Sequence, residues 1–95
     1  MPEWENIIDN ESKLKLKIIK TDSGSKWSVV YLLYIGYWLD IVRIDNYEHE
    51  GSENPHIHRY KQKRVEFLDI TFTEAQKKIK KIGKGIKERI KDDIY

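Results

Sequence analysis

The residues most able to do chemistry lie between Tyr37 and Tyr60, in the run YWLDIVRIDNYEHEGSENPHIHRY. All three histidines of the chain, His49, His56 and His58, are in it, with Arg43 and Arg59 nearby. An imidazole close to its ordinary pKa takes or gives a proton at neutral pH. Cutting RNA without a metal needs two such groups. One deprotonates the 2′-hydroxyl and the other protonates the leaving 5′-oxygen. It also needs a cation on the phosphorane. His56 or His58 with His49 could fill the first two roles, and Arg43 or Arg59 the third, because a guanidinium matches two phosphate oxygens. Tyr60 could serve as an acid or orient a phosphate, and Asp45 could orient a histidine. Loop and edge histidines without a catalytic role would look the same by spacing. A metal site is the rival chemistry. His56-x-His58 on a strand puts both rings on one face, and His49, Asp45 or Glu48 could complete a ligand set. The set lacks a third certain donor, so the expectation is a site with no metal and no cofactor.

These residues are positioned by period. Trp38 to Asp45 is rich in β-branched and aromatic residues and reads as a strand. Strict alternation from its start puts Leu39, Ile41, Arg43 and Asp45 on one face, and Trp38, Asp40, Val42 and Ile44 on the other. After a polar loop, Pro55 favours extended backbone. His56 to Tyr60 alternates again, with His56, His58 and Tyr60 on one face and Ile57 and Arg59 on the other. If the two strands pair, the histidines come close to Arg43 and Asp45, depending on register.

Around this stretch the chain reads as scaffold. Lys13 to Ile18 alternates strictly, with Leu14, Leu16 and Ile18 inward and three lysines toward water or a phosphate chain. Residues 21–25 are a turn by composition. Lys26 to Tyr34 is a central strand, and Ile35-Gly36-Tyr37 a tight reversal. Val65 to Leu68 is a short further strand. Residues 1–11, with Trp4, Ile7 and Ile8, read as a short turn or helix. From Asp69 the period changes. Ala75, Ile79, Ile82, Ile86, Ile90 and Ile94 form one stripe of an amphipathic helix. Thr71 with Glu74, or Thr73 with Gln76, supplies a capping box. Gly83 and Gly85 mark a kink or a close approach of the helix to the sheet. The expected fold is α+β: a four- or five-stranded antiparallel meander over residues 12–68, with one long helix, 71–93, on one face. Ninety-five residues make a single domain, 1–95.

Composition narrows the function. No cysteine is present, so disulfides and thiolate metal sites are out. There is no 18-residue apolar run and no basic, apolar leader, so the expected setting is cytoplasmic, away from membranes. Charged residues make up 36% of the chain, with abundant Lys and Ile, as in thermophile proteins. The net charge of +2 conceals a block. Residues 77–91 carry eight basic side chains against Glu88 alone, a local +7. Lys77, Lys80, Lys84 and Lys87 could hold RNA there, or form a solvated helix face. No phosphate-binding glycine loop, nucleophile elbow or helix-turn-helix pattern occurs.

The run WLDIVRIDN, with His49 and Pro55-His56-Ile57-His58-Arg59-Tyr60, resembles the small TumE-like toxins of prokaryotic toxin–antitoxin pairs and related short archaeal proteins. Their shared features are an Arg-x-Asp-Asn strand end, a polar loop, a Pro-His-x-His segment and a C-terminal helix. The likeness covers about residues 26–93, and its motif part some 23 residues. The chain departs from the pattern in a longer 48–54 insert and in Ile44, where an aromatic is expected. The resemblance implies a ribonuclease-type toxin acting on RNA and neutralised by a small antitoxin protein, with roles for Arg43, Asp45, His49, His56 and His58. A non-catalytic module that binds nucleic acid or protein through the basic helix is the alternative. Either reading is compatible with a homo-oligomer.

Overall fold

The structure is a computed structural model and describes residues 3–21, 24–46, 56–59, 66–67 and 70–94. The strands are β1 (Glu3–Asp9), β2 (Ser12–Thr21), β3 (Gly24–Tyr34), β4 (Trp38–Asp45), β5 (His56–Arg59) and β6 (Glu66–Phe67). They form one antiparallel sheet in chain order, followed by a helix, α1 (Phe72–Ile94). This is the expected α+β meander, with five principal strands and a two-residue β6. No helix among the described residues is long and apolar enough to cross a membrane.

The N-terminal segment is a strand, not the turn or helix its sequence suggests. Its charges decide this. Glu3 stands opposite Lys17 and Glu5 opposite Lys15, and the carboxylates reach diagonally, Glu3 to Lys15 at 2.9 Å and Glu5 to Lys13 at 3.0 Å. Cross-strand pairs of opposite charge stabilise an edge that has few apolar contacts of its own. The same charges discourage pairing of this edge with other chains.

α1 lies across β3 and β4. Its N-terminus is fixed by the capping box at Thr71. The Thr71 backbone N–H donates to Glu74 Oε1 at 3.0 Å, and the Glu74 N–H donates to Thr71 Oγ1 at 3.2 Å. Ala75, Ile79, Ile86 and Ile90 are buried with Leu14, Leu16, Trp27, Val29, Tyr31, Leu33, Val42, Ile44 and Ile57. Ile82 is only partly buried and lies at the margin of this core, not in it as its stripe implies. Gly83 packs against the Tyr31 ring, whereas nothing approaches Gly85. Of the two glycines, only Gly83 permits a close helix–sheet approach. At the β3–β4 reversal Gly36 has φ 94°, a left-handed conformation that suits glycine.

The basic helix is partly neutralised from within the chain. Lys87 Nζ sits 2.8 Å from Asp9 Oδ2 and 3.2 Å from Glu11 Oε1, and Lys91 also bonds Glu11. The Lys87 side chain is 13% exposed, so it is not the open phosphate contact the sequence suggests. Its lysine bond holds the Asp9 carboxyl below its ordinary value of 3.8. Bonds from Lys91 and then Lys87 hold Glu11 below 4.5. Burial pulls the Lys87 ammonium down, but its two carboxylate partners outweigh this and raise it above 10.5. A depressed carboxylate stabilises the fold fully above its unfolded pKa and loses that contribution as pH falls through the folded one. Urea midpoints are therefore expected to drop between about pH 5 and pH 3. The drop should be smaller in an Asp9→Asn, Glu11→Gln variant. An equal drop in that variant would assign the acid sensitivity to other carboxylates.

Candidate functional site

The two faces of the sheet have different tasks. Leu14, Leu16, Val29, Tyr31, Val42 and Ile44 face α1, so their neighbours in sequence face the other way. Among the described residues, no helix lies on that second face. The face carries two polar rows that run across the strands. One row is Glu3, Lys17, Ser28 and Asp45, with His56 at the β5 position paired with Asp45; the next, polar but for Val30, is Glu5, Lys15, Val30, Arg43 and His58.

A bulge sets the phase of β4. Tyr31 pairs with Val42 and Leu32 with Asp40, which leaves Ile41 as the extra residue. Ile41 and Val42 are both fully buried. The alternation expected from Leu39 therefore breaks at Ile41. Leu39 lies on the helix side with Val42 and Ile44, and Trp38 and Asp40 share the open face with Arg43 and Asp45. Crowding by protein raises the Asp40 carboxyl although it keeps solvent contact, and Arg43 pulls it partly back.

Asn46 locks the end of β4 to β3. The Trp27 N–H donates to Asn46 Oδ1 at 2.7 Å, Asn46 Nδ2 donates to the Ser25 carbonyl at 3.0 Å, and the Asn46 N–H donates to the Trp27 carbonyl at 3.2 Å. The asparagine of the Arg-x-Asp-Asn strand end is thus a clamp that holds the two charged residues in register. Between them, Arg43 Nε lies 3.1 Å from Asp45 Oδ2. The Asp45 side chain is 2% exposed and that of Arg43 is 42% exposed. A nearly dry carboxylate thus lies in ion-pair range of a buried Nε that makes no hydrogen bond, while the Arg43 side chain is partly in solvent.

β5 completes the arrangement. His58 pairs with Arg43 and His56 with Asp45. Paired residues in an antiparallel sheet stand about 4.5–5.5 Å apart at Cα and share a face. A depression of about 330 Å³ lies beside them, lined by Lys15, Lys17, Ser28, Arg43, Asp45 and Glu3.

No family model, curated protein or solved structure matches this chain.

The sequence-predicted residues divide into groups. Arg43, Asp45, His56 and His58 come together by register. Arg59 takes the position opposite Val42, one residue out of phase with the histidines. His49 and Tyr60 lie outside the described residues. Lys77, Lys80 and Lys84 are exposed on α1, which packs on the other face of the sheet. They do not join the histidines. The open face instead supplies Lys15 and Lys17, read from sequence as strand lysines facing water or a phosphate chain, and Ser28 and Glu3, which were not anticipated. Parity along β2 and β3 carries the signal for Lys15, Lys17 and Ser28. Among the described residues, no group of three His, Asp or Glu is placed to hold a metal.

Proposed function

We propose that this chain is an RNA-cleaving toxin of the TumE-like kind, using histidine acid–base chemistry without a metal and held in check by a small antitoxin. The observation that supports it is the cross-strand register: His58 opposite Arg43 and His56 opposite Asp45, beside Lys15 and Lys17 on an open sheet face. In this reading one histidine takes the proton of the 2′-hydroxyl, and the 2′-oxygen attacks phosphorus. The bond to the 5′-oxygen breaks, and the second histidine protonates that leaving oxygen. The products are a cyclic 2′,3′-phosphate and a free 5′-hydroxyl. Arg43, steadied by Asp45, faces the charge that builds on the phosphorane. Lys15 and Lys17 hold neighbouring phosphates.

The test is cleavage of end-labelled RNA in EDTA. The wild type is expected to cut, and a 2′-O-methyl substrate to resist. A His56→Ala, His58→Ala variant with an unchanged circular dichroism spectrum should lose at least about 100-fold in rate. Salt-dependent RNA binding with no cleavage would transfer the assignment to a non-catalytic binding module. Activity lost in EDTA and restored by zinc or manganese would transfer it to a metal site.

A further inference from the structure

We infer that the groove between β1 and α1 receives an acidic, apolar-faced helix of a partner protein. This groove is on the helix side of the sheet, away from the histidines, and the inference does not rest on the ribonuclease reading.

The first argument is one of coverage. A helix about 10 Å wide spans roughly two strands at about 4.8 Å each. α1 spends that width on β3 and β4. Beside it, at β1, apolar surface stays in water: Ile8 is 37% exposed, whereas Trp4, further along the strand, packs edge-on against Phe72 of α1. The groove between has a volume of about 510 Å³, with Ile8 and the edge of Tyr31 as its apolar lining and Lys80 and Lys84 on its helix wall.

The second argument is charge. Lys77, Lys80, Lys84, Lys87 and Lys91 repeat at intervals of three and four residues and so form one stripe along α1. The chain itself shows what this stripe binds. Asp9 and Glu11 sit on Lys87 and Lys91. Lys80 and Lys84 continue the stripe, are exposed, and make no ion pair among the described residues. Glutamates four residues apart on a partner helix are spaced about 6 Å along its axis, as Lys80 and Lys84 are along α1. A leucine stripe beside those glutamates would cover Ile8 and the edge of Tyr31. A phosphate chain fits less well, because Asp9 and Glu88 also line the groove and an apolar floor gives it nothing.

The probe is a blocked, fluorescently labelled helical peptide of glutamate, leucine and alanine, with glutamates four apart beside a leucine stripe, titrated with the full chain and read by anisotropy. Saturable binding is expected. Lys80→Glu, Lys84→Glu should weaken it at least about 10-fold, and so should Ile8→Glu or a peptide with glutamine for glutamate. Lys20→Glu, elsewhere on the surface, should leave it unchanged. Circular dichroism checks that each variant is folded, and RNA cleavage in the same samples reports separately on the open face. Absence of saturable binding, or binding that ignores the Lys80, Lys84 reversal, overturns the inference. Displacement by oligouridylate as readily as by unlabelled peptide also overturns it, and makes the groove a phosphate site.

Discussion

Gly83→Ala should destabilise the protein by up to about 2 kcal/mol, seen as a lower urea midpoint at unchanged slope. A β-carbon at this position would lie 2.6 Å from Cγ and Cε2 of Tyr31. The ring has little freedom to move. Tyr31 is 2% exposed and stands between Leu14 and Val42 on the neighbouring strands. Alanine gains about 1 kcal/mol of helix propensity over glycine, but forced overpacking of a core costs about 1–3 kcal/mol. The loss wins because the obstacle is the body of a buried ring. Gly85 provides the control. Nothing lies within 4 Å of its added β-carbon, so Gly85→Ala should stabilise by up to about 1 kcal/mol. Equal stabilisation by both substitutions would show that α1 lifts off Tyr31 without cost.

Ile79→Ala should have the largest effect on stability, a loss of about 2–5 kcal/mol. Ile79 is fully buried in the row that runs from Ala75 to Ile90. Truncation removes three carbons' worth of burial and leaves a cavity between a helix and a sheet, neither of which can close it alone. Ile82, one turn on, is only partly buried, so Ile82→Ala should cost less than half as much. Thermal or urea unfolding of the two variants side by side settles the ranking. If Ile82→Ala proves as costly as Ile79→Ala, α1 is rotated about its axis relative to this description.

Where local pattern and pairing agree, the sequence is transparent. The Lys–Leu alternation of β2, the capping box at Thr71 and the isoleucine stripe of α1 are all readable, because each depends on residues within a few positions. The pairing of Arg43 with His58 was legible as a possibility of period, and the actual register had to come from the structure. β4 misleads because its bulge is not encoded by glycine or proline. Ile41 and Val42 look like ordinary consecutive strand residues, yet both are buried. β1 misleads for another reason. Its stability comes from lysines on the next strand, so the segment EWENIID by itself carries no alternation that marks an inner face. The helix lysines were legible as a charge block. Their ion pairs with Asp9 and Glu11 were not, since these join residues 76 to 80 positions apart. Gly83 and Gly85 look equivalent in sequence; only the position of Tyr31 separates them.

The placement of α1 also sets an order of events during synthesis. A chain is made from its N-terminus, so β1 to β6 leave the ribosome before the helix that covers them. Until α1 follows, the row Leu14, Leu16, Val29, Val42, Ile44 and Ile57 has no lid. A sheet bare on both faces is poorly stabilised and prone to associate. The register that sets Arg43 against His58 becomes durable only when Ile79, Ile86 and Ile90 arrive. Pairing on the open face is thereby completed only after the other face is sealed.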